Sequence, residues 1–459
     1  MAISRPHRRL KLLYLVSLFT AAFVWPIQSY KSSTQSSVAA PLNAPPAASI
    51  PTFYRDILPI LQQHCQPCHS RGGIAPMPFE TYDDTRRYAK VIRNVSGEKS
   101  MPPPFAIPEV GQVANDPSLA PDQIATLKAW ADAQAPAGNT DDAPPRVHTS
   151  SGWTIGEPNV IVKMLNPVQV PTQGNVEYEY EIVPTHFSAG RWIQAAEVLP
   201  SLPANLHHAV IFIRPNDSKW LRNAPVGRPF TATTLVGKEA ADSAWTDTDI
   251  LVVYAPGNSP EKWPSGMAKF IPRGADLIFQ MQYTGDGSAG SDQTSVGLLF
   301  SKKPPVQRIL TLQLANHDFV IPPNVPEYRV EASGILPQNA MLLSCFPLMH
   351  LRGKRFEYNI VHRDQPSGAG SQPTIETLLR VNYDFRWQMN YPFVKRRLLT
   401  AGSELQAVAW YDNSPNNPRN PDPSAFVRWG ESPSHEMMAG FFDVIVPANA
   451  DRRSYSLQH

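Results

Sequence analysis

Residues 206–213 read LHHAVIFI, a short apolar run that begins with two adjacent histidines. Such runs recur in the second half of the chain, at 159–164, 176–182, 249–254, 277–283 and 440–446, and Pro and Gly turns separate them. Short apolar segments divided in this way are typical of antiparallel strands in β-sandwiches. The chain after residue 151 is longer than one sandwich needs, so we expect two, with the cluster SKKPPVQ at 301–307 as their seam.

The composition favours a multidomain globular protein. The chain has 459 residues, of which 42% are hydrophobic and 17% charged, which excludes disorder as its main state. Its 48 prolines against 25 glycines disfavour long helices and coiled coils. Lys and Arg total 41 and Asp and Glu total 39, so the net charge of +2 is too small for a protein that binds nucleic acid through its phosphates. We expect no nucleic-acid partner.

The N-terminus has the pattern of an export signal. Arg8, Arg9 and Lys11 precede an apolar run over 12–25, which is as long as a signal-peptide core and shorter than a comfortable membrane span. We expect residues 1–28 to be a signal peptide or a retained membrane anchor, and residues 29–50 to be a flexible linker. The body would then be periplasmic or secreted, or held at the membrane by this segment.

The three cysteines, Cys65, Cys68 and Cys345, are too few for a disulfide framework, and two of them belong to the motif CQPCH at 65–69. At this spacing two thiols add to the vinyl groups of a haem, and the adjacent His69 binds its iron. A zinc half-site would need a second Cys or His pair nearby, and a redox CxxC would need a βαβ context. Neither is present, so we expect covalent haem c.

Helices are predicted on both sides of this motif. Apolar stripes at 57, 58 and 61 and at 124, 127 and 130 indicate one helix before it and another that begins at Pro121. A further helix is predicted over 82–95. Met101, in the proline-rich loop SMPPP, is the better candidate for the second axial iron ligand, because that loop can reach the opposite haem face. Met77 is expected to pack or to lie in a turn.

Residues 51–139 carry YRDILPIL, CQPCH, APM, MPPP and a closing LKAWADAQAP segment. In these motifs the segment resembles a small class of bacterial c-type cytochrome domains. The resemblance implies a small all-α domain with covalent haem c that transfers electrons, followed by a linker over 140–151.

The remaining motifs are, in chain order, WTIGEP at 153–158, LHHAVIF at 206–212, QMQYTGDG at 280–287, IPPN at 321–324, LMHLRGKRF at 348–356, YDNS at 411–414 and HEMMAGFF at 435–442. In this order they resemble the copper type II ascorbate-dependent monooxygenases, the family of peptidylglycine α-hydroxylating monooxygenase and dopamine β-monooxygenase. The resemblance implies two antiparallel jelly-roll domains, over 152–305 and 306–450. Each would hold one copper, and O2 would be used to hydroxylate a C–H bond.

The resemblance also implies two ligand sets, and each is one imidazole short. The first copper would bind His207 and His208, with Gln282 at the third ligand position. The second would bind His350 and Met437, with Leu348 at the remaining position. Gln offers only a hard amide oxygen to cuprous copper and Leu offers nothing, so neither is an expected ligand. Substitutes would have to be brought close by the fold, and the candidates are His317, His362, His435 and Met349.

Two functions follow as hypotheses. In the first, the haem passes electrons from a redox partner protein or a reductant to copper, and a small-molecule or peptide substrate is hydroxylated with O2. In the second, the chain is a non-catalytic electron-transfer or binding protein on a degenerate copper monooxygenase scaffold. The intact His207, His208, His350 and Met437 favour an enzyme, whereas Gln282 and Leu348 favour the second hypothesis.

Overall fold

The computed structural model describes residues 49–103, 106–107, 110–145, 152–173, 178–231, 248–258, 260–285, 287, 289–362, 373–430, 432 and 434–458. The predicted signal segment over 1–28 lies outside the described residues, and so do most of the linker over 29–50 and the start of the strand predicted over 176–182. Among the described residues, no helix is long and apolar enough to cross a membrane.

The first part of the described chain is helical. A π-helical turn at Phe53–Ile57 leads into helix α1, and the last helical turn of this part is a 3-10 turn at Thr140–Asp142. The α-helices are α1 at Leu58–His64, α2 at Tyr82–Arg86, α3 at Ala89–Gly97 and α4 at Pro121–Asp132. The predicted helices before the motif and from Pro121 are confirmed. The latter helix begins at Pro121, and proline is favoured at the first position of a helix.

The single helix predicted over 82–95 is wrong, because the structure divides it into α2 and α3. Tyr88 has φ −102° and ψ 4°, outside the helical region, and its N–H donates to Thr85 O in a turn. Its ring packs edge-on against Phe79 with centroids 5.9 Å apart. This packing contact accompanies the break, and apolar periodicity alone does not encode it.

The helices enclose one apolar cluster, which contains Phe53, Ile57, Leu61, Leu127 and Trp130. These side chains come from both sides of the CQPCH motif, as the two apolar stripes predict. Trp130 is fully buried and its ring N–H donates to Pro136 O at 3.0 Å, so the chain after α4 is tied back to the core. Assignment of this segment as a cytochrome c domain stays a prediction.

The rest of the described chain is almost entirely β. Strands of its first half are β1 Val160–Lys163, β2 Val168–Val170, β3 Glu179–Pro184, β4 Arg191–Leu199, β5 Leu206–Arg214, β6 Phe230–Thr231, β7 Asp249–Tyr254, β8 Glu261–Lys262, β9 Met267–Ile271, β10 Asp276–Tyr283, β11 Gly290–Asp292 and β12 Ser295–Phe300. Those of its second half are β13 Gln307–Ala315, β14 Val320–Ile321, β15 Tyr328–Ile335, β16 Ala340–Leu348, β17 Gly353–His362, β18 Thr374–Asn382, β19 Tyr391–Leu399, β20 Glu404–Tyr411, β21 Val427–Arg428 and β22 Ala439–Pro447. A 3-10 turn follows at Arg452–Tyr455.

The strands form packed sheets, which is consistent with β-sandwich domains. One sheet has the order β1-β12-β4-β9-β13-β22-β16-β19, with β8 added beside β4. The order of a second is β6-β3-β10-β5-β7 and that of a third is β15-β20-β17-β18. The first sheet crosses the predicted seam at 301–307, because β9 pairs in parallel with β13 through Met267 and Gln307. The two halves therefore share a sheet, and residues Ile50–His459 form one compact unit.

Strand β5 shows how the layers meet. All nine of its residues are buried, because it lies inside its sheet and both sheet faces are covered. Ala209, Ile211 and Ile213 enter a core made mostly of first-half residues, as alternation along a strand requires. Val210 and Phe212 enter a different core, whose other members include the second-half residues Phe346, Leu348, Met437, Ala439 and Phe441. This second core joins the two halves, and we call it the joining core.

Candidate functional site

The adjacent histidines lie at a β-bulge in β5. His208 pairs with Gln282 of β10, but the next pair is Leu206 with Tyr283, so His207 is the extra residue. Side chains of neighbouring residues in a regular strand point to opposite faces, and a bulge removes that restriction. The sequence allows both histidines to bind one metal only at a strand end or a bulge, and the structure has the bulge.

The bulge brings the two rings together. Nδ1 of His207 is 3.3 Å from Nδ1 of His208. At metal–imidazole bonds of about 2.0–2.1 Å and a near-tetrahedral angle, two nitrogen ligands of one ion stand about 3.3 Å apart. The same separation also permits a weak N–H···N hydrogen bond between the rings. The pair therefore has the spacing of two ligands to one ion before any rearrangement.

His350 begins the turn between β16 and β17, and Glu436 holds that turn. Glu436 Oε2 accepts the backbone N–H of His350 at 2.8 Å, and Oε1 accepts that of Arg352 at 2.7 Å. The ring Nδ1 of His350 lies 3.2 Å from the carbonyl oxygen of His435. A carbonyl can only accept, so Nδ1 carries the proton and Nε2 keeps its lone pair. Metal-binding histidines commonly have this arrangement.

Aromatic rings connect the histidine pair to His350. The Tyr178 ring lies 5.5 Å from that of His208 and 5.5 Å from that of His350, measured between centroids. Phe385, on the loop before β19, stacks on His207 at 5.1 Å and meets His350 edge-on at 6.2 Å. Each sandwich half therefore contributes to one buried cluster, which we call the histidine cluster: His207, His208, His350, Tyr178 and Phe385.

Burial keeps these imidazoles neutral. Desolvation lowers the pKa of His207 to about 4 and that of His350 to about 4. It also lowers the pKa of His208 well below its ordinary value, and the neighbouring His207 and His350 add to this shift. The Nε2 atoms of all three are buried and have no hydrogen-bond partner within the described part of the chain. Neutral imidazoles with unused ring nitrogens are the form that metal ions bind.

The two positions without imidazoles, Gln282 and Leu348, lie on different strands, β10 and β16. Gln282 is directly opposite His208, and directly opposed residues of an antiparallel pair share a sheet face. Leu348 is the last residue of β16, lies opposite Ala439 and packs in the joining core together with Met437. His350 lies beyond the end of that strand, so strand alternation does not place it on the same face as Leu348. The side chain of Leu348 is fully buried among apolar groups.

Of the proposed substitutes, only His435 has a ring that acts on the imidazole of His350. His435 provides the carbonyl that accepts from His350, and its ring helps to lower the pKa of His350, although it lies at the surface. His317 stacks on Trp429 at 4.1 Å, and His362 pairs with Glu376 at 3.2 Å. Met349 is buried in the core of the second half. None of these last three provides a replacement ligand.

The CQPCH motif forms a turn that continues α1. Cys65 N–H donates to Leu61 O at 2.9 Å, and His69 N–H donates to Cys65 O at 2.8 Å. Residues three apart in such a turn lie on one face, so Cys65 and Cys68 can reach the same group. Both are free thiols, and burial raises their pKa, to about 12 for Cys65 and about 11 for Cys68.

His69 is oriented as an iron ligand would be. Its Nδ1 donates to the carbonyl oxygen of Met77 at 3.0 Å, which leaves the lone pair on Nε2. Its ring stacks on Phe79 with centroids 4.5 Å apart. Met77 thus supports His69 through its backbone and packs against the helical core. Met101 follows α3 with 47% of its side chain exposed, so it is not part of that core.

The side chains of the CQPCH motif match the needs of haem better than the His and Met side chains match those of copper. Two unpaired thiols and an oriented histidine fit covalent haem. For copper, His207 with His208 and His350 with Met437 supply soft ligands of the kind that cuprous ion prefers. Within the described ranges, however, no three or more His, Cys, Asp or Glu side chains stand together in a group that could hold one metal ion. The described residues therefore form no complete copper site, and both copper sets stay predictions.

Comparisons with known proteins assign the chain to no family. The chain matches no protein-family model. It also matches no curated protein. The resemblances to c-type cytochromes and to copper monooxygenases therefore depend on the motifs alone.

Sequence reasoning missed two residues of the cluster and the carboxylate that holds the turn of His350. Tyr178 and Phe385 come from segments with no recognisable motif, and only the fold brings them to the histidines. Glu436 had a signal, since it immediately precedes Met437, but a single carboxylate in a loop does not indicate which backbone groups it will accept.

Proposed function

We propose that the chain is an exported haem c and copper oxidoreductase of the monooxygenase type, built on two jelly-roll domains. A small molecule or peptide would be hydroxylated at a C–H bond. In the overall reaction O2, the substrate C–H, two electrons and two protons give C–OH and water. Bound copper would supply the one-electron chemistry that reduces O2, and covalent haem would supply single electrons from a reductant or a redox partner protein.

One observation carries this proposal. Three neutral imidazoles from two β regions converge on one buried cluster, and their Nε2 atoms have no hydrogen-bond partner among the described residues. An unsatisfied buried polar atom costs about 1–3 kcal/mol. At His350 an ion bound to Nε2 would remove this cost. An ion shared by His207 and His208 would bind their Nδ1 atoms, which stand 3.3 Å apart, and each of these imidazoles would then carry its proton on Nε2.

A second candidate, an electron-transfer protein without oxygenase activity, is favoured by two other observations. His208, His350 and Tyr178 are fully buried, so a substrate could reach these rings only if the two halves separate. In addition, Leu348 occupies a ligand position with an apolar side chain. In this candidate the copper would store and pass electrons without meeting substrate.

Restoring the missing imidazoles tests the choice between the two. The double variant Gln282→His with Leu348→His should raise copper to two ions per chain and increase reductant-dependent O2 uptake above that of the wild type. Gln280→His is a matched control, because Gln280 is also fully buried on β10 and lies two residues from Gln282 on the same face. It should add neither copper nor O2 uptake.

Folding of the double variant must be confirmed first by circular dichroism and thermal unfolding. A buried histidine without a partner costs about 1–3 kcal/mol. A folded double variant that binds no additional copper would contradict the monooxygenase proposal. One that binds two ions but consumes no O2 would favour the electron-transfer candidate.

A further inference from the structure

The CQPCH turn lies against the β region at Gly257. A Cβ atom added to Gly257 would lie 2.8 Å from Cys68 Sγ and 3.8 Å from Pro67 Cβ, so Gly257 permits a contact that no other residue could make. Its φ of +81° is also in the region that favours glycine. The haem-attachment cysteine thus lies directly against the loop that follows β7.

Strand β7 leads from this contact to the histidine pair. The turn after the strand is closed by Asn258, whose N–H donates to Ala255 O at 2.9 Å and whose side chain donates to Val253 O at 3.3 Å. Tyr254, the last residue of β7, lies directly opposite Ala209 of β5. Ala209 is bonded to His208. The path therefore contains one contact through space, between Cys68 and Gly257, and otherwise follows the chain and a strand pairing.

The pKa of Tyr254 depends on the CQPCH turn as well as on burial. Burial raises its pKa, and the nearby Cys68 sulfur contributes to the same rise. The ring packs against the core of the first half. Tyr254 therefore lies three residues before the glycine that contacts Cys68, and directly opposite a residue of the strand that carries the histidine pair.

We propose that the Cys68–Gly257 contact and strand β7 form the route by which electrons enter the copper pair at His207 and His208. Haem held by Cys65, Cys68 and His69 would supply one electron, going from ferrous to ferric, and copper held by His207 and His208 would accept it, going from cupric to cuprous; no bond would form or break. A one-electron donor, either a redox protein or a small reductant, returns the haem to the ferrous state. His350 lies beyond the pair, across the rings of Tyr178 and Phe385, so it is downstream. This inference rests on the proposed function.

The test uses the full chain with covalent haem and bound cupric ion under anaerobic conditions. A photoexcited flavin reduces the haem in a flash, and absorbance follows its reoxidation while electron paramagnetic resonance follows loss of the cupric signal. In the wild type, reoxidation should be first order, with a rate independent of protein concentration. Gly257→Ala should slow it several-fold, because the added methyl group separates Cys68 from the loop.

Gly402→Ala is the matched control. Gly402 has a φ of +85°, so alanine suffers the same backbone strain there, but no atom lies within 4 Å of the added Cβ. Its electron-transfer rate should equal that of the wild type. A second variant, Tyr254→Ala, keeps the glycine turn and removes the ring opposite Ala209, and it should also slow transfer. Equal rates in the wild type, Gly257→Ala and Tyr254→Ala would overturn the route.

The reduction potential of the haem gives a second test that does not require bound copper. Opening the Cys68 contact to water stabilises the more highly charged ferric state, so the haem potential should be lower in Gly257→Ala than in Gly402→Ala. If the wild type has a cupric signal but its haem is not reoxidised by a first-order process, only the route fails. If the wild type binds no cupric ion, the proposed function fails and the route fails with it.

Discussion

Replacing Glu436 by Gln tests how His350 is held. The carboxylate is fully buried, and its two oxygens accept the backbone N–H groups of His350 and Arg352 at 2.8 and 2.7 Å. An amide has one oxygen, so in Glu436→Gln one of these buried N–H groups would face an NH2 group. Water cannot replace the lost acceptor at a fully buried site. The variant should therefore be less stable, and the turn that presents His350 should loosen.

The magnitude follows from the unsatisfied donor. A buried N–H without an acceptor costs about 1–3 kcal/mol of the free energy of unfolding. Loss of a group that orients a metal ligand typically costs about 10–100-fold in metal affinity. We expect Glu436→Gln to lower the free energy of unfolding and the affinity for cuprous ion by these amounts. The loss of affinity should be confined to the site of His350 and Met437.

The control is the same substitution at an exposed carboxylate. Glu376 pairs with Arg397 at 2.7 Å and with His362 at 3.2 Å, both at the surface. Exposed ion pairs contribute about 0–1 kcal/mol, so Glu376→Gln should change stability little and copper binding not at all. Urea unfolding followed by tryptophan fluorescence and calorimetry with cuprous ion measure the two quantities. Equal losses in the two variants would refute the role assigned to Glu436.

Three further outcomes are expected. Calorimetry with cuprous ion should detect a weak site that is lost in His208→Ala. The site should remain in His362→Ala, which changes an exposed histidine. Unchanged binding in His208→Ala would show that the histidine pair has only a structural role. Met101→Ala should abolish the ferric methionine charge-transfer band and lower the haem potential, whereas Met77→Ala should not, and the reverse result would exchange the two assignments. Protein made with a c-type maturation system should keep one haem per chain on a denaturing gel, and haem that acidified solvent extracts would exclude covalent attachment.

Local signals predicted much of the secondary structure. The apolar run at 249–254 coincides with β7, and Pro121 does begin a helix, because strand periodicity and helix-start chemistry act over a few residues. The break at Tyr88 and the parallel pairing of β9 with β13 were not predictable in this way. Both depend on contacts between segments that local patterns do not encode.

The candidate site was predictable in its parts but not in its assembly. The adjacent histidines indicated a pair that could share one metal only at a strand end or a bulge, and the register places His207 at a bulge. The convergence of His350 on that pair through Tyr178 and Phe385 depends on the packing of distant segments. The contact of Cys68 with Gly257 is of the same kind, since a glycine in a turn has many uses and the sequence does not identify its neighbour.

The metal content of the purified chain tests the central claim most directly. Protein matured with covalent haem and reconstituted anaerobically with cuprous ion should contain, by elemental analysis, one iron per chain together with bound copper. The variant with both His207→Ala and His208→Ala should keep its iron and lose copper from the pair. A wild-type protein that contains iron but no more copper than this variant would contradict the account.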